Sequence, residues 1–235
     1  MPIVFPNCKI NLGLNIVSKR EDGFHELNTV FYPVPFKDAL EVSASNNGFS
    51  FFQSGIQIRE GGKNLCVKAY ELLKQDFPLH QDIHLHLLKG IPVGAGLGGG
   101  SADAAFTLRL LNNYYHLGLS QEALIDYAAT LGSDCAFFIH NKPSFATGRG
   151  EILEPIDLTL SGYTIVLIYP GIEISTREAF SKITPALPAH PLKEVIKLAP
   201  ELWKETLVND FESSVFVSYP ELSNIKQQLY NLGAI

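Results

Sequence analysis

Five glycines occupy the seven positions from Gly94 to Gly100, a density that suits contact between the main chain and an anion. Where side chains are absent, backbone N–H groups can approach phosphate oxygens closely, and a helix start adds partial positive charge. Small residues follow at once, beginning with Ser101 and Ala102, and they keep the approach open. The segment is therefore predicted to be a phosphate-binding loop between a strand and a helix.

Three known loop patterns compete for this segment. A Walker loop ends in Gly-Lys-Ser or Gly-Lys-Thr, and no lysine precedes Ser101. The glycines also satisfy G-x-G-x-x-G, but a dinucleotide site wants an acidic residue at a strand end about 20 residues further on. Here Glu122 falls inside a predicted helix instead. A protein kinase would carry H-R-D and D-F-G, which the sequence lacks. A plain glycine-rich turn is the remaining alternative.

The whole loop, with GLGGGSA at residues 96–102, resembles the phosphate loop of the GHMP kinases. Further blocks that match the family follow the same order along the chain: KINLGLNI at 9–16, REDGFHEL at 20–27, LGSD at 131–134 and GRGE at 148–151. The resemblance covers essentially the whole chain. The first two blocks together are similar to the branch of the family that acts on a cytidine diphosphate compound.

That resemblance implies transfer of the γ-phosphoryl group of ATP to the 2-hydroxyl of CDP-methylerythritol, in the non-mevalonate (MEP) pathway to isoprenoids and terpenoids. It implies ATP and this small molecule as partners, and ATP and Mg²⁺ as cofactors. It also implies a GHMP kinase fold of two domains, with a ribosomal-protein-like N-terminal half and a ferredoxin-like C-terminal half.

The same resemblance assigns roles to residues. Asp134 is implied as the catalytic base, with Lys9 beside it, which suits a hydroxyl nucleophile that must lose a proton. Asp134 either takes that proton or only orients the hydroxyl, since a loose transition state demands little from a base. Ser101 is a possible Mg²⁺ ligand. The positions that match the ATP site are Asn64, Pro92, Val93, Gly94, Ala95, Gly96, Leu97, Gly98, Gly99, Gly100, Ser101 and Ala102. The positions that match the substrate site are Asn11, Phe24, His25, Thr176 and Phe180.

In the implied substrate site, Phe24 and Phe180 stack on the cytosine ring and His25 reads its edge. Phe24 stands where tyrosine is more usual, and stacking needs only the ring face. Each of these three residues also has a simpler interpretation, since aromatic rings pack in cores and His25 follows a turn signal at Gly23.

The reaction-centre residues have simpler interpretations too. Asp134 follows Gly132-Ser133, which is also a turn signal, and Lys9 fits a solvent-facing lysine at a strand edge. Asn64 fits an ordinary helix N-cap, and Ser101 fits a cap as well as a phosphate or Mg²⁺ ligand. Cys135 is predicted to be a small buried residue rather than a second nucleophile.

Two rival functions remain open. One is another GHMP activity, such as that of homoserine kinase or diphosphomevalonate decarboxylase, and the Asp-Gly-Phe-His block argues against it. The other is a non-catalytic ligand-binding protein on the same scaffold. Retention of both Lys9 and Asp134 argues against that, because a sensor needs no base.

Composition limits the remaining classes. The net charge of −6 argues against nucleic-acid binding, which needs a basic surface. No apolar run approaches the roughly 18 residues of a membrane span, and the N-terminus has no basic region of a signal peptide. Three scattered cysteines, without metal-ligand spacing, fit a reduced cytoplasmic protein. Oligomeric state does not follow from the sequence.

Strands and helices mix without regular βαβ alternation, which predicts an α+β fold. Predicted strands lie at 39–44 and 49–52, around an Asn-Asn-Gly turn, and at 83–87 and 163–169; predicted helices lie at 64–77, 100–114 and 120–131. His84 and His86 share one strand face and are expected to form a half-buried, solvent-facing pair rather than a metal site. After Gly150 the sequence changes to an apolar segment followed by a cluster of prolines at 185–200, which predicts domains at 1–150 and 151–235.

The end of the chain resembles the family least. Pro220 begins a predicted helix whose apolar stripe ends near Leu232, and Gly233 suits its C-cap. The final Ala234-Ile235 then looks like the beginning of a strand. Family members continue into a second glycine- and serine-rich segment, so we expect this sequence to be a truncated form whose C-terminal domain is incomplete.

Overall fold

The computed structural model describes residues 1–58, 64–181 and 183–235. Its strands are β1 (Ile3–Val4), β2 (Asn7–Lys19), β3 (His25–Lys37), β4 (Ala39–Ala44), β5 (Ser50–Gly55), β6 (Ile83–Lys89), β7 (Ser144–Thr147) and β8 (Ile152–Pro155). Its α-helices are α1 (Leu65–Asp76), α2 (Gly99–Tyr114), α3 (Gln121–Leu131), α4 (Cys135–His140), α5 (Thr176–Ser181), α6 (Leu192–Val195), α7 (Phe211–Ser218) and α8 (Pro220–Asn231). A short 3₁₀ helix lies at Pro200–Leu202.

The contacts divide the chain into two compact units, each built from three segments. The first unit contains Met1–Ile10, Pro33–Lys142 and Leu158–Ile172; the second contains Asn11–Tyr32, Pro143–Asp157 and Glu173–Ile235. The single boundary near residue 150 that the sequence suggests stays a prediction.

One four-stranded sheet belongs to the first unit and has the strand order β1-β4-β6-β5. β6 pairs antiparallel with β4 and parallel with β5. Strands β4 and β5 flank the Asn-Asn-Gly turn in sequence but are not neighbours, because β6 lies between them. Along β6 the residues at odd positions are buried, whereas His84 and His86 are half-buried on the opposite face, as strict alternation predicts.

Helices α1 to α4 also belong to the first unit, and the three predicted helices are confirmed as α1, α2 and α3. Asn64 caps α1 through a bond from the Cys66 amide, and Ser120 caps α3 through a bond from the Ala123 amide. Helix α2 has ten buried residues, among which Ala104, Ala105 and Leu108 are fully enclosed. It packs against α1, α3 and α4, and it therefore anchors the segment that precedes it.

The other sheet has the order β2-β3-β7-β8. In the second unit, Leu14, Ile16 and Leu27 form a buried cluster, and Phe180 and Phe211 pack against it. Helix α8 begins at Pro220, as predicted, and Gly233 has the positive φ of 93° expected beyond a helix end. The two sheets and their helices confirm an α+β fold.

The predicted strand at 163–169 is wrong. This segment has no regular secondary structure, and the side chains of Val166 and Ile168 are 69% and 51% exposed. A strand forms only where a neighbouring strand supplies hydrogen-bond partners, and apolar composition alone does not supply them. In the part of the chain that the structure describes, each helix is too short or too polar to cross a bilayer.

Candidate active site

The glycine loop joins the end of β6 to the beginning of α2. Gly94, Gly96 and Gly98 have φ values of 72°, 72° and 68°, in the left-handed region that side chains disfavour. A Cβ atom at Gly96 would meet no atom within 4 Å, so the main chain there borders open space. The loop therefore presents bare backbone next to a helix N-terminus, which is the arrangement that phosphate binding requires.

Lys9 connects strand β2 to this loop in two ways. Its backbone amide donates to the Leu97 carbonyl at 3.0 Å, and a Cβ added at Gly98 would lie 3.1 Å from its Cγ. Its ammonium Nζ lies 3.4 Å from Oδ2 of Asp134. The structure thus brings together the two residues that the resemblance assigns to the reaction, and it places them beside the predicted phosphate loop.

The Lys9 and Asp134 side chains differ in exposure. Lys9 is 7% exposed, so it is not the solvent-facing lysine of the simpler interpretation, whereas Asp134 is 31% exposed. Asp134 precedes α4 but makes no side-chain cap to that helix. Its carboxylate faces the lysine instead and remains accessible from solvent, so a substrate hydroxyl can reach it.

Ser101 does not cap α2. The helix begins two residues earlier, at Gly99, and its N-cap is Gly98 in a left-handed conformation, because a glycine can turn directly from the loop into the helix. Ser101 lies in the first turn, close to the Cys135 thiol. Burial raises the pKa of the Cys135 thiol to about 11, which agrees with a buried residue rather than a second nucleophile.

Asn64 has the capping role of its simpler interpretation. Its Oδ1 accepts a hydrogen bond from the Cys66 amide at 2.8 Å. Its predicted place in the adenine pocket stays a prediction.

The second unit carries the residues assigned to the substrate. The His25 and Phe180 rings are stacked, with centroids 4.9 Å apart and planes at 19°. Phe24 is 53% exposed, so core packing does not explain it, and the Arg149 guanidinium lies 4.8 Å from its ring centroid. Phe180 combines both interpretations, because it also packs against the buried cluster of this unit.

The remaining two substrate residues are less informative. The Asn11 amide donates to the Thr29 hydroxyl at 2.9 Å, and that hydroxyl donates to the Gly13 carbonyl. Thr29 of strand β3 therefore orients the Asn11 side chain of strand β2. Thr176 begins α5, but its side chain lies outside the part of the structure that is described.

Sequence reasoning missed a group of three charged side chains next to the loop, which we call the buried lysine cluster: Asp38, Lys89 and Asp103. Lys89 donates to Oδ2 of both carboxylates, at 2.8 Å for Asp103, and the three side chains are at most 2% exposed. A signal was available, because Lys89 continues the buried odd positions of β6. Burial raises the pKa of Asp103 to about 7.

The residues near the loop can be compared with what a bound nucleotide and a bound metal ion require. The open backbone at Gly96 fits a phosphate, as argued above. Residues 1–58, 64–181 and 183–235 contain no group of three His, Cys, Asp or Glu side chains placed to hold a metal ion. This does not disagree with Mg²⁺, which often binds through few protein ligands together with nucleotide phosphates.

Comparison with known proteins agrees with this geometry. The GHMP kinases N terminal domain family matches residues 64–142, which include the loop, α2 and Asp134. A relative from Bacteroides fragilis, 4-diphosphocytidyl-2-C-methyl-D-erythritol kinase, is 55% identical over 99% of this chain and 86% of its own length. The chain belongs to the GHMP kinase family.

Further relatives narrow the position within the family. The 4-diphosphocytidyl-2-C-methyl-D-erythritol kinase of Cytophaga hutchinsonii is 47% identical over 99% of this chain and 86% of its length. A crystal structure of 4-(cytidine 5'-diphospho)-2C-methyl-D-erythritol kinase superimposes with a TM-score of 0.84 and 30% identity, covering 99% of this chain and 84% of that one. Homoserine kinase from Cytophaga hutchinsonii shares the fold alone, at 15% identity and a TM-score of 0.65, over 99% of this chain and 79% of that one. Within the GHMP kinases, this chain is thus similar to the kinases of 4-diphosphocytidyl-2-C-methyl-D-erythritol.

Proposed function

We propose that this protein transfers the γ-phosphoryl group of ATP to the 2-hydroxyl of 4-diphosphocytidyl-2-C-methyl-D-erythritol, a step of MEP-pathway isoprenoid biosynthesis. Relatives of 40–55% identity that match nearly the whole chain carry this activity in their names. The observation on the chain itself that carries the proposal is the Lys9–Asp134 pair beside the glycine loop.

The reaction forms a bond between the substrate oxygen and the γ-phosphorus and breaks the bond from that phosphorus to the β–γ bridging oxygen. The hydroxyl proton passes to Asp134, which is exposed enough to release it to solvent afterwards. Lys9, held beside the carboxylate, stabilises negative charge on the attacking oxygen. Little else is asked of the protein, since phosphoryl transfer depends mainly on positioning and charge neutralisation.

The nucleotide phosphates are held by the backbone amides of the loop from Gly94 to Gly100 and by the N-terminus of α2. Mg²⁺, when bound, neutralises phosphate charge, and the Ser101 hydroxyl in the first turn of α2 is the protein ligand proposed for it. Asn64 and the small residues around the loop complete the proposed ATP site.

On the substrate side, the exposed ring of Phe24 offers a face to the cytosine, and the partly buried ring of Phe180 offers another. In the described structure these faces contact Arg149 and His25 respectively, so binding the base requires at least one of these contacts to change. His25 then reads the base edge, and Asn11 and Thr176 line the remainder of the substrate.

We also place the protein in the cytoplasm. The three cysteines are all unpaired and buried, which suits a reducing compartment.

The deciding experiment measures ADP release by the purified protein with ATP, Mg²⁺ and 4-diphosphocytidyl-2-C-methyl-D-erythritol. Parallel reactions contain homoserine, mevalonate or no acceptor. Turnover with the cytidyl compound alone supports the proposal. Preferred turnover of another alcohol would assign a different GHMP activity, and nucleotide binding without any turnover would indicate a ligand-binding protein.

A further inference from the structure

The proposed reaction does not use the buried lysine cluster. The side chains of Lys89, Asp38 and Asp103 are 1%, 0% and 2% exposed, so a nucleotide cannot touch them without opening the fold. The Lys89 ammonium is also engaged by both carboxylates. Lys89 is therefore not placed as the phosphate-binding lysine of a Walker loop, although it lies at the base of a glycine-rich loop.

The cluster contacts the beginning of that loop through Asp38. Oδ1 of Asp38 accepts hydrogen bonds from the backbone amides of Gly90 and Ile91, at 2.6 and 2.8 Å. Oδ2 of the same carboxylate accepts from Lys89. One buried carboxylate thus fixes both the main chain that leaves β6 and the last side chain of that strand.

The cluster contacts the end of the loop through Lys89 and Asp103. A Cβ atom at Gly99 would lie only 2.8 Å from the Lys89 ammonium, so the first residue of α2 rests directly on that group. Asp103, one turn further along α2, accepts from the same ammonium at 2.8 Å. The loop from Pro92 to Gly98 is consequently held at both ends by one group of charges.

Stability does not explain the cluster. Replacing a buried ion pair with well-packed apolar residues is often neutral or stabilising, because removing charges from water is costly. Moreover, Oδ1 of Asp103 is buried without a hydrogen-bond partner among the described atoms, an arrangement that costs further free energy. A geometric role of the cluster accounts for this cost better than a stabilising one does.

We infer that the buried lysine cluster is a positioning device, in which Lys89 fixes the distance between the end of β6 and the beginning of α2 and so shapes the loop for a nucleotide polyphosphate. The inference rests on the proposed function, since it concerns how the loop binds ATP. It assigns Asp38, Lys89 and Asp103 as positioning residues that act through the backbone of residues 90–99. Loosening the cluster weakens nucleotide binding while leaving the cytidyl site of the second unit unaffected.

The sharpest test compares two uncharged replacements of similar size at one position, Asp103→Asn and Asp103→Leu. Asparagine keeps an acceptor oxygen for Lys89, and leucine removes it while suiting a buried helix position. Steady-state kinetics give kcat and both Michaelis constants, calorimetric titration gives the Kd for ADP, and thermal unfolding reports on the fold.

We expect Asp103→Asn to keep the Kd for ADP and the KM for ATP within about twofold of wild type. Asp103→Leu is expected to raise both roughly tenfold, the equivalent of one charged hydrogen bond. The KM for the cytidyl substrate should change less than about twofold in either variant, because a loop-positioning role predicts a selective effect. Wild-type nucleotide affinity in a folded Asp103→Leu protein overturns the inference, and so does an equal rise in both Michaelis constants.

Gly99→Ala provides a second test that leaves every charge in place. The backbone at Gly99 is helical, so alanine meets no conformational penalty, and its methyl group would point at Lys89 and Ile91. Because Lys89 is held by two buried carboxylates and Ile91 is fully buried, we expect the loop end to shift and the Kd for ADP to rise. Unchanged ADP affinity in this variant contradicts the inference even if Asp103→Leu fails to fold.

The two proposals fail in different ways. Absence of turnover by the wild-type protein with the cytidyl substrate removes the proposed function, while the ADP titrations still test the positioning role. Turnover by the wild-type protein together with normal ADP affinity in either folded variant, Asp103→Leu or Gly99→Ala, leaves the function in place and removes the positioning role.

Discussion

Two lysines lie beside the same loop in different surroundings. Lys9 and Lys89 are both nearly buried, at 7% and 1% exposure. The Asp134 carboxylate that pairs with Lys9 is 31% exposed, whereas the two carboxylates that pair with Lys89 are at most 2% exposed. The exposure of the carboxylate partner therefore separates a pair that can exchange a proton with a substrate from a group that can only hold the main chain.

The largest expected difference between the two lysines is in stability. Lys89→Met leaves two buried carboxylates without a cation and should lower the free energy of unfolding by about 3–5 kcal/mol. Lys9→Met leaves Asp134 partly solvated and should cost about 1 kcal/mol or less. Urea denaturation of both variants measures this difference. Equal losses would mean that the Lys9 pair is as structural as the Lys89 cluster.

The next test concerns catalysis. Asp134→Asn keeps the size of the side chain but removes the base, so kcat should fall by roughly 10²-fold or more. The melting temperature should stay near wild type, because the carboxylate caps no helix. The KM values should stay near wild type too, because asparagine keeps the size of the side chain. Stopped or continuous measurement of ADP release provides the rates. A near-normal kcat would remove Asp134 from the mechanism. The Lys9–Asp134 pair would then no longer differ in function from the Lys89 cluster.

A third test asks whether substrate recognition lies in the second unit. Phe24→Ala should weaken binding of the cytidyl substrate by about 1–3 kcal/mol, the range for a base stacked on an aromatic ring. ATP affinity should not change. Phe52→Ala is a matched control, since Phe52 in β5 is 52% exposed and Phe24 is 53% exposed. Similar losses of substrate affinity in the two variants would show that the effect is not specific to Phe24.

The smallest expected effect distinguishes two buried thiols, Cys66 near the Lys89 cluster and Cys135 next to Asp134. Burial raises the pKa of Cys66 further than that of Cys135, and the charge of Asp103 adds to the shift at Cys66, whereas the Ser101 hydroxyl moderates it at Cys135. Because the thiolate is the reactive form, neither thiol should react with iodoacetamide at pH 7. As the pH rises toward 10, Cys135 should be alkylated before Cys66.

Peptide mapping by mass spectrometry after timed alkylation measures the order. A urea-unfolded sample serves as the control, in which both thiols should react at similar rates. Earlier modification of Cys66 in the folded protein would show that the Asp103 side of the loop opens more readily than the Asp134 side.

Local sequence patterns predicted the elements around the site well. Strand β6 and helices α1 to α3 follow from alternation, helical periodicity and the capping residues Asn64 and Ser120, because each of these signals depends on neighbours in the chain. The prediction of a strand at 163–169 was wrong because it depended on residues that are distant in the sequence. Its apolar composition suits a strand, but a strand also needs a partner, and distant residues determine whether one is available.

In the candidate active site, too, local features could be predicted from the sequence and long-range contacts could not. The glycine loop could be located from the spacing of its residues, whereas the contact between Lys9 and Asp134 joins residues 125 positions apart (134 − 9) and required either a family resemblance or the fold. Only the lysine of the buried lysine cluster could be predicted from the sequence, since the alternation of β6 places Lys89 on the buried face. Its carboxylate partners come from the β3–β4 junction and from α2, and no local pattern connects them.

The position of β6 has a consequence for how the chain emerges during synthesis. β6 is the last of its sheet to be made, yet it lies between β4 and β5, so the two earlier strands have no shared partner until Lys89 has left the ribosome. A nascent chain that stops before this point carries unpaired strand edges, which favour association with other chains. Because the phosphate loop follows β6 directly, the same stretch of translation completes the sheet and begins the nucleotide site.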